Sequence, residues 1–416
     1  MKKKVYFKTF GCRTNLYDSQ VMMSAMKDYE ITHNESEADA IVINSCTVTN
    51  GADTHVRTYI SGVEKSHNKA KIFLTGCGAH TKGESLLKEG RVHGVFGQSE
   101  KQKIDTLLKT EQPFYDPGDL NHIDDTVVNE FVGKSRAFIK IQEGCNFRCS
   151  YCIIPYVRGD ARSMDEEKIL EQISTLALNG FGEFILTGTN VGSYGQDRRS
   201  SLARLMKKMS QIRGVRRIRL GSVEPIQISD EFKEILDEPW LEKHMHIALQ
   251  HTAPQMLKLM NRRNVYKQDR ELFEFLASKG FAIGTDFITG HPGESEELWS
   301  EAMQNARELP LTHLHAFTYS KRDGTPSATM KPEVNGKVAK ERLHEIESLV
   351  QEKNLAFRKS FSGELDVLIE SYKDGLYHGL DQHFNKIVVD SKEDLVGNWI
   401  NISKYEVRED ANYACI

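Results

Sequence analysis

The sequence predicts an α/β protein in three parts: an open α/β domain, a partial (β/α)6 barrel, and a small antiparallel β-barrel. Three observations predict this. Near the start, three short apolar runs each end in a cysteine, and helical stretches follow the first two. Six further strand patterns then alternate with helices or loops. The last 54 residues change to short strands at close spacing.

The first domain, residues 1–113, repeats one design. "KVYFKTFGC" ends in Cys12, "AIVINSC" in Cys46 and "KIFLTGC" in Cys77. Short β-branched runs of this kind are buried parallel strands. "YDSQVMMSAMKD" and "GADTHVRTYISGVEKSH" supply the helices between them, which gives βαβαβ. Ligands of such sheets gather at the strand C-termini, where all three cysteines lie. One buried cysteine is an ordinary small apolar residue. Three in equivalent places imply a shared cause.

Residues 114–132 contain Pro, Gly and acidic residues without a period, and are expected to be a linker. Residues 133–362 form the barrel. Its strands are read from "AFIKIQEGC", "EFILTGTNVGSYG", "VRRIRLGSVEP", "HMHIALQHT", "FAIGTDFITGHPGE" and "THLHAFTYSKRDGTP". Polar residues fall at the strand ends, where parallel barrels place chemistry: Thr187 to Asn190, Ser222, Glu224, Gln250, His251 and Asp286. A charged helix is expected over residues 331–360. Residues 363–416 form the terminal barrel, of a kind that often binds oligonucleotides.

Composition bounds the function. The net charge of −4 gives no overall attraction to nucleic acid, so any such contact needs a local basic patch. Candidates are Arg213, Arg216, Arg217 and Arg219 in "RGVRRIR", and the pair Arg262–Arg263; a solvated surface face is the plainer reading of the first and the lesser reading of the second. The terminal barrel is acidic, with five Lys/Arg against eleven Asp/Glu, and is a poor anchor for phosphates. Seven cysteines, an odd number widely spread, argue for a reducing compartment with metal-binding or catalytic thiols. Neither a signal peptide nor a bilayer-spanning run is read from the sequence. Cys415 has no partner in the pattern.

The stretch "EGCNFRCSYCIIP" carries Cys145, Cys149 and Cys152. A structural zinc site closes with four ligands, so three thiolates leave a metal centre one open position. That C-x3-C-x2-C loop resembles the signature of the radical S-adenosylmethionine (SAM) superfamily. The upstream cysteines and the small terminal barrel narrow the resemblance to methylthiotransferases. It implies that Cys145, Cys149 and Cys152 hold a [4Fe–4S] cluster whose open iron takes SAM. It implies a second [4Fe–4S] cluster on Cys12, Cys46 and Cys77, and a TRAM-like terminal barrel. It puts Tyr151 against the adenine, Gly188, Thr189 and Asn190 at the methionine end, and Ser222 and Glu224 near the ribose. Gln250 and Asp286 join this cofactor-binding set.

The resemblance further implies a cytoplasmic tRNA-modifying enzyme, with an electron donor of flavodoxin or ferredoxin type and an unspecified sulfur source. "GCRTN", "ILTGTNVGSYG" and "HAFTYSKRDGTP" look most like the branch acting on threonylcarbamoyladenosine. Other branches act on isopentenyl-type adenosine or on an aspartate of a ribosomal protein. Arg262 and Arg263 are the expected phosphate contacts. A plain iron–sulfur carrier and a zinc-stabilised RNA-binding protein are the alternatives outside this family. Two departures from the family pattern stand out: "LQHTA" for LQSGS and "GHPGES" for GFPGET. The His-x-His pairs 244/246 and 313/315 read as packing, with metal binding as the alternative.

Overall fold

The computed structural model describes residues 2–66, 69–123, 126–128 and 135–416. Its first sheet is parallel throughout, in the order β2-β1-β3-β4-β5-β6. The strands are β1 (Lys3–Thr9), β2 (Tyr29–Ile31), β3 (Ala40–Ser45), β4 (Lys71–Gly76), β5 (Gly94–Phe96) and β6 (Phe114–Asp116). The cysteine-bearing strands β1, β3 and β4 are adjacent, so sheet order alone brings their C-terminal ends together. β6 corrects the expected linker: residues 114–116 pair with β5 and belong to the sheet. Residues 124–125 and 129–132 of that linker lie outside the described residues.

The barrel strands are β7 (Ala137–Lys140), β10 (Glu183–Thr187), β11 (Arg217–Leu220), β12 (His244–His246), β13 (Ala282–Thr289) and β14 (His313–Thr318). β7, β10 and β11 pair in parallel, as do β12, β13 and β14. Bridges Ile218–Leu241 and Val223–Ile247 join the two halves into one open six-stranded parallel barrel. β8 (Gln142–Glu143) and β9 (Arg162–Ser163) pair antiparallel and close the neck of the cysteine loop between them.

The helix Arg13–Ala25 joins the two domains. Its Met22 packs in the core of the first sheet, while Tyr17 and Val21 are fully buried in the barrel core. Two cores are thereby tied through one rigid element.

The expected charged helix runs over Gly336–Ser360. The last domain holds β15 (Leu365–Lys373), β16 (Leu376–Leu380), β17 (Lys386–Asp390), β18 (Trp399–Ile402), β19 (Glu406–Val407) and β20 (Asn412–Cys415). The Asp374–Gly375 pair between β15 and β16, both at positive φ, is the hairpin turn that a DG signal favours. This sheet corrects the antiparallel expectation, because β17 and β20 pair in parallel. It is mixed and curled, in the order β18-β15-β16-β17-β20-β19, with its end strands unpaired to each other.

Arg216, Arg217 and Arg219 of the basic run hold this domain in place. Arg216 and Arg217 stack on Trp399 at 4.3 and 4.5 Å. Arg217 and Arg219 are buried, bonded to the Glu183 carboxylate at 2.6 and 2.7 Å. Arg217 donates to the Asp366 carbonyl and Arg219 to the Asp381 carbonyl. Burial alone would push Glu183 up, but Arg219, Arg217 and Arg136 hold it down to about 2. No helix among the described residues is long and apolar enough to cross a membrane.

Candidate functional site

A pocket of about 620 Å³ opens between the first domain and the barrel. Cys12 lines it from one side, and Cys145, Cys149 and Cys152 from the other. One strand-end thiol, Cys12, therefore shares a cavity with all three loop thiols, although the sequence separates them widely.

The loop group is set by local hydrogen bonds. The Phe147 amide and the Asn190 side-chain amide point at Cys145 Sγ, at 3.4 and 3.5 Å. Arg262 Nη1 lies 3.5 Å from Cys149 Sγ. Burial pushes the Cys145 thiol up, and Cys152 to about 12. Thiols so buried bind protons tightly, and a coordinating cation is what would deprotonate them.

The strand-end group is set by sheet order and one arginine. Gly11, at φ +103°, has no room for a side chain: a Cβ there would stand 2.7 Å from Cys46 Cβ and 3.2 Å from its Sγ. Cys12 and Cys46 are thus brought close by a position that only glycine fills. Cys77 packs against Ile153 and Val157 of the loop beyond Cys152. Arg158 Nε lies 3.2 Å from Cys77 Sγ. Burial pushes Cys77 up to about 11, against the pull of Arg158. The donor set fits iron: each group offers three sulfurs, soft ligands suited to iron–sulfur clusters, and neither closes a four-ligand zinc site.

Arg158 is the hub of a buried network that composition and spacing did not reveal. It donates to Asp18 and Glu143, and at 2.7 Å to Asn15 Oδ1. Lys101 and Lys140 both reach Asp18 Oδ1 at 2.7 Å. Three cations thus surround two carboxylates, which leaves an excess of positive charge beside Cys77. Burial would raise Glu143, yet Lys140 and Arg158 hold it down to about 2. The signal was present in "IIPYVRG": an arginine inside an otherwise apolar turn needs a partner.

The expected cofactor residues line the same pocket. Gly188, Thr189 and Asn190 follow β10, and Thr189 Oγ1 donates to the Gly144 carbonyl at 2.7 Å. Asn190 N donates to Gln142 Oε1 at 2.8 Å. Ser222 and Glu224 follow β11, and Ser222 is exposed to the pocket. Gln250 is at φ +68°, a conformation that costs energy for a non-glycine residue and clusters at functional sites. Asp286 sits 3.2 Å from His246 Nε2 and 3.7 Å from His315 Nδ1. Burial would raise it, but these histidines hold it below the usual carboxylate range. The ligand atoms of His246, Asp286 and His315 lie within 4.8 Å of one another. His244 and His313 instead pack ring to ring at 4.8 Å.

Both departures from the family pattern are internally satisfied. His251 Nε2 contacts Glu294 Oε1 at 3.1 Å, and its Nδ1 accepts from the Ala253 amide. His291 Nε2 contacts Ser150 Oγ at 3.2 Å, and its ring meets Tyr151 edge-on at 6.4 Å. His291 therefore braces the segment between Cys149 and Cys152.

Arg262 is a correction. Its side chain is 1% exposed, and its two terminal nitrogens clamp Glu224. It faces the pocket, so its charge is spent on a carboxylate and is not offered to an outer phosphate. Arg263 is exposed and stacks on Phe147 at 4.3 Å, on the rim of the cysteine loop.

A model described as "Uncharacterized protein family UPF0004" matches residues 4–97, and one described as "Radical SAM superfamily" matches residues 139–306. A Helicobacter pylori protein named "Putative methylthiotransferase" is 54% identical over 417 residues, covering 99% of both chains. The chain belongs to the radical SAM methylthiotransferase family. A Bacillus subtilis relative of this methylthiotransferase, named threonylcarbamoyladenosine tRNA methylthiotransferase MtaB, is 32% identical and covers 96% of this chain and 93% of its own. A Lachnoclostridium phytofermentans relative, named ribosomal protein uS12 methylthiotransferase RimO, is also 32% identical, covering 98% of each. The fold is shared with a radical SAM methyltransferase, TsrM, from Kitasatospora setae, at TM-score 0.59 and 14% identity, over 79% of this chain and 77% of that one. A family of this kind implies SAM and a [4Fe–4S] cluster for this methylthiotransferase.

Proposed function

We propose that this enzyme adds a methylthio group to C2 of N6-threonylcarbamoyladenosine beside the anticodon of tRNA, using two [4Fe–4S] clusters. Cys145, Cys149 and Cys152 hold the cluster that takes SAM. Cys12, Cys46 and Cys77 hold the second, which carries sulfur. The observation that carries this reading is the shared pocket, with Cys12 on one wall and the loop thiols on the other. Sulfur delivery and hydrogen removal must act on one carbon, and a single cavity lets them do so.

The C2–H bond has no proton that a side-chain base removes at neutral pH. When bound, one SAM with its cluster would supply a 5′-deoxyadenosyl radical that takes a hydrogen atom instead, and a second SAM would supply the methyl group on the sulfur. The chain's own residues bind and orient. Tyr151 covers the adenine, Gly188 to Asn190 receive the methionine end, and Ser222 and Glu224 receive the ribose. Arg262 fixes the Glu224 carboxylate, and Asp286 with its histidines closes the opposite wall. The target base leaves its stack to enter, as RNA loop bases commonly do in recognition. Arg263 on the rim contacts the neighbouring phosphate. Reduction comes from a flavodoxin- or ferredoxin-type donor.

The substrate reading is supported by relatives at 32–34% identity that carry this activity in their names. Nucleoside mass analysis of tRNA from a deletion strain tests it. Methylthiolated threonylcarbamoyladenosine should vanish and its unthiolated precursor accumulate. Retention of that nucleoside, with a ribosomal protein losing the corresponding mass, would assign the protein substrate instead.

A further inference from the structure

The ionised groups of the pocket are almost all paired. Glu224 is held by Arg262, Glu242 by Arg219, and Asp286 by His246 and His315. Arg13 is different. It follows Cys12 directly, lines the same pocket, and its guanidinium lies 5.9 Å from the Phe384 ring. Among the described residues its guanidinium makes neither a hydrogen bond nor an ion pair, and Glu242 is the carboxylate that acts on it from a distance. Its side chain is half-buried. A partly desolvated guanidinium without a partner gains from an added anion.

Arg219 faces Phe384 as well, at 5.2 Å, and the ring stacks on His244 at 5.0 Å with 19° between planes. Phe384 is itself at φ +67° on the turn between β16 and β17, so the terminal domain inserts it here under backbone strain. Asp381 fixes that turn by accepting the His383 and Asn385 amides. The result is one unpaired guanidinium, backed by an aromatic ring, inside the cavity lined by Cys12 and the loop thiols.

We propose that Arg13 receives the threonyl carboxylate of the substrate and thereby selects the acidic threonylcarbamoyl base over a neutral isopentenyl-type base. This rests on the RNA substrate proposed above. A carboxylate matches the guanidinium fork, whereas an isopentenyl chain leaves the half-buried cation unpaired. A hydrogen bond to a charged group sets the expected scale at about 10- to 100-fold in affinity.

Two anticodon stem-loops test this, one bearing threonylcarbamoyladenosine and one bearing the same base with the threonyl carboxylate converted to its amide. Equilibrium binding to the reconstituted full chain is measured alongside kcat and KM, and iron is determined on every preparation. The wild type should prefer the acid by about 10- to 100-fold, mostly in KM. Arg13→Gln should bind both RNAs alike, and Arg13→Lys should keep part of the preference. A wild type indifferent to the amide, or an Arg13→Gln variant with full preference, overturns the role of Arg13 and leaves the RNA substrate standing. Turnover of neither stem-loop, with turnover of an isopentenyl-type RNA or a ribosomal protein, overturns the substrate reading and this inference together.

Discussion

The barrel meets its two neighbours through buried charge networks that look alike and do different things. On one side Asp18 and Glu143 are surrounded by Lys101, Lys140 and Arg158. On the other, Glu183 and Glu242 are surrounded by Arg136, Arg217 and Arg219. Both satisfy buried carboxylates with an excess of cations. The first contains a thiol, Cys77, within 3.2 Å of Arg158. The second ends in carbonyls and in the Trp399 ring of the terminal domain. A buried network is thus a joint in itself, and becomes part of a site only where a reactive atom lies inside it.

Breaking each joint separates the two roles. Arg158→Met should have the largest effect, because it removes the one buried side chain that bonds Asp18, Glu143 and Asn15 together. Removing one partner of a buried pair costs about 3–5 kcal/mol. Denaturant unfolding measures this, and iron in the first domain should fall too. An equal loss of stability with full iron loading would make Arg158 a joint residue alone.

Glu183→Gln should cost about 3 kcal/mol at neutral pH without touching iron. The pH dependence carries the sign. Glu183 is held at about 2, below its unfolded value, so its contribution is present above about pH 4.5 and lost as pH falls towards 2. The variant should therefore lose its deficit in that acid window. A deficit that persists below pH 2 would mean packing, not charge, holds the joint.

Trp399→Ala removes the surface on which Arg216 and Arg217 stack. Two partly exposed cation–π contacts amount to about 1–2 kcal/mol. SAM cleavage should be unchanged, since Trp399 is outside the pocket lining. Arg263→Ala should have the smallest effect. If Arg263 contacts one phosphate, the slope of log K against log salt should flatten by about 0.7–0.9. An unchanged slope would remove Arg263 from the RNA interface.

The same contrast shows what the sequence made legible. The proximity of the loop cysteines was readable because the three lie within seven residues of one another on one loop. The strand-end cysteines were readable because three equivalent β-strands imply adjacency in a parallel sheet. In the Arg cluster 213–219 the surface reading holds for Arg213 and Arg216 and fails for the buried Arg217 and Arg219, because linear charge does not tell exposed from buried. Its partner Glu183 lies on another strand, and Trp399 and Asp366 in another domain. Arg262 misled for the same reason: Glu224 is 38 residues away and supplies the pairing. Arg13 was quoted within "GCRTN" but its isolation is a property of the folded pocket. The parallel pairing of β17 with β20 was hidden too, since pairing direction follows from connection, not from the strand's own pattern.

The most direct test is the iron content of three reconstituted proteins: the wild type, the Cys145/Cys149/Cys152→Ala variant and the Cys12/Cys46/Cys77→Ala variant. Two clusters at one pocket predict about eight irons in the wild type and about four in each variant. Cleavage of SAM should survive only in the variant that keeps the loop cysteines. Full iron in the Cys12/Cys46/Cys77→Ala variant, or about four irons in the wild type, would contradict the two-cluster site.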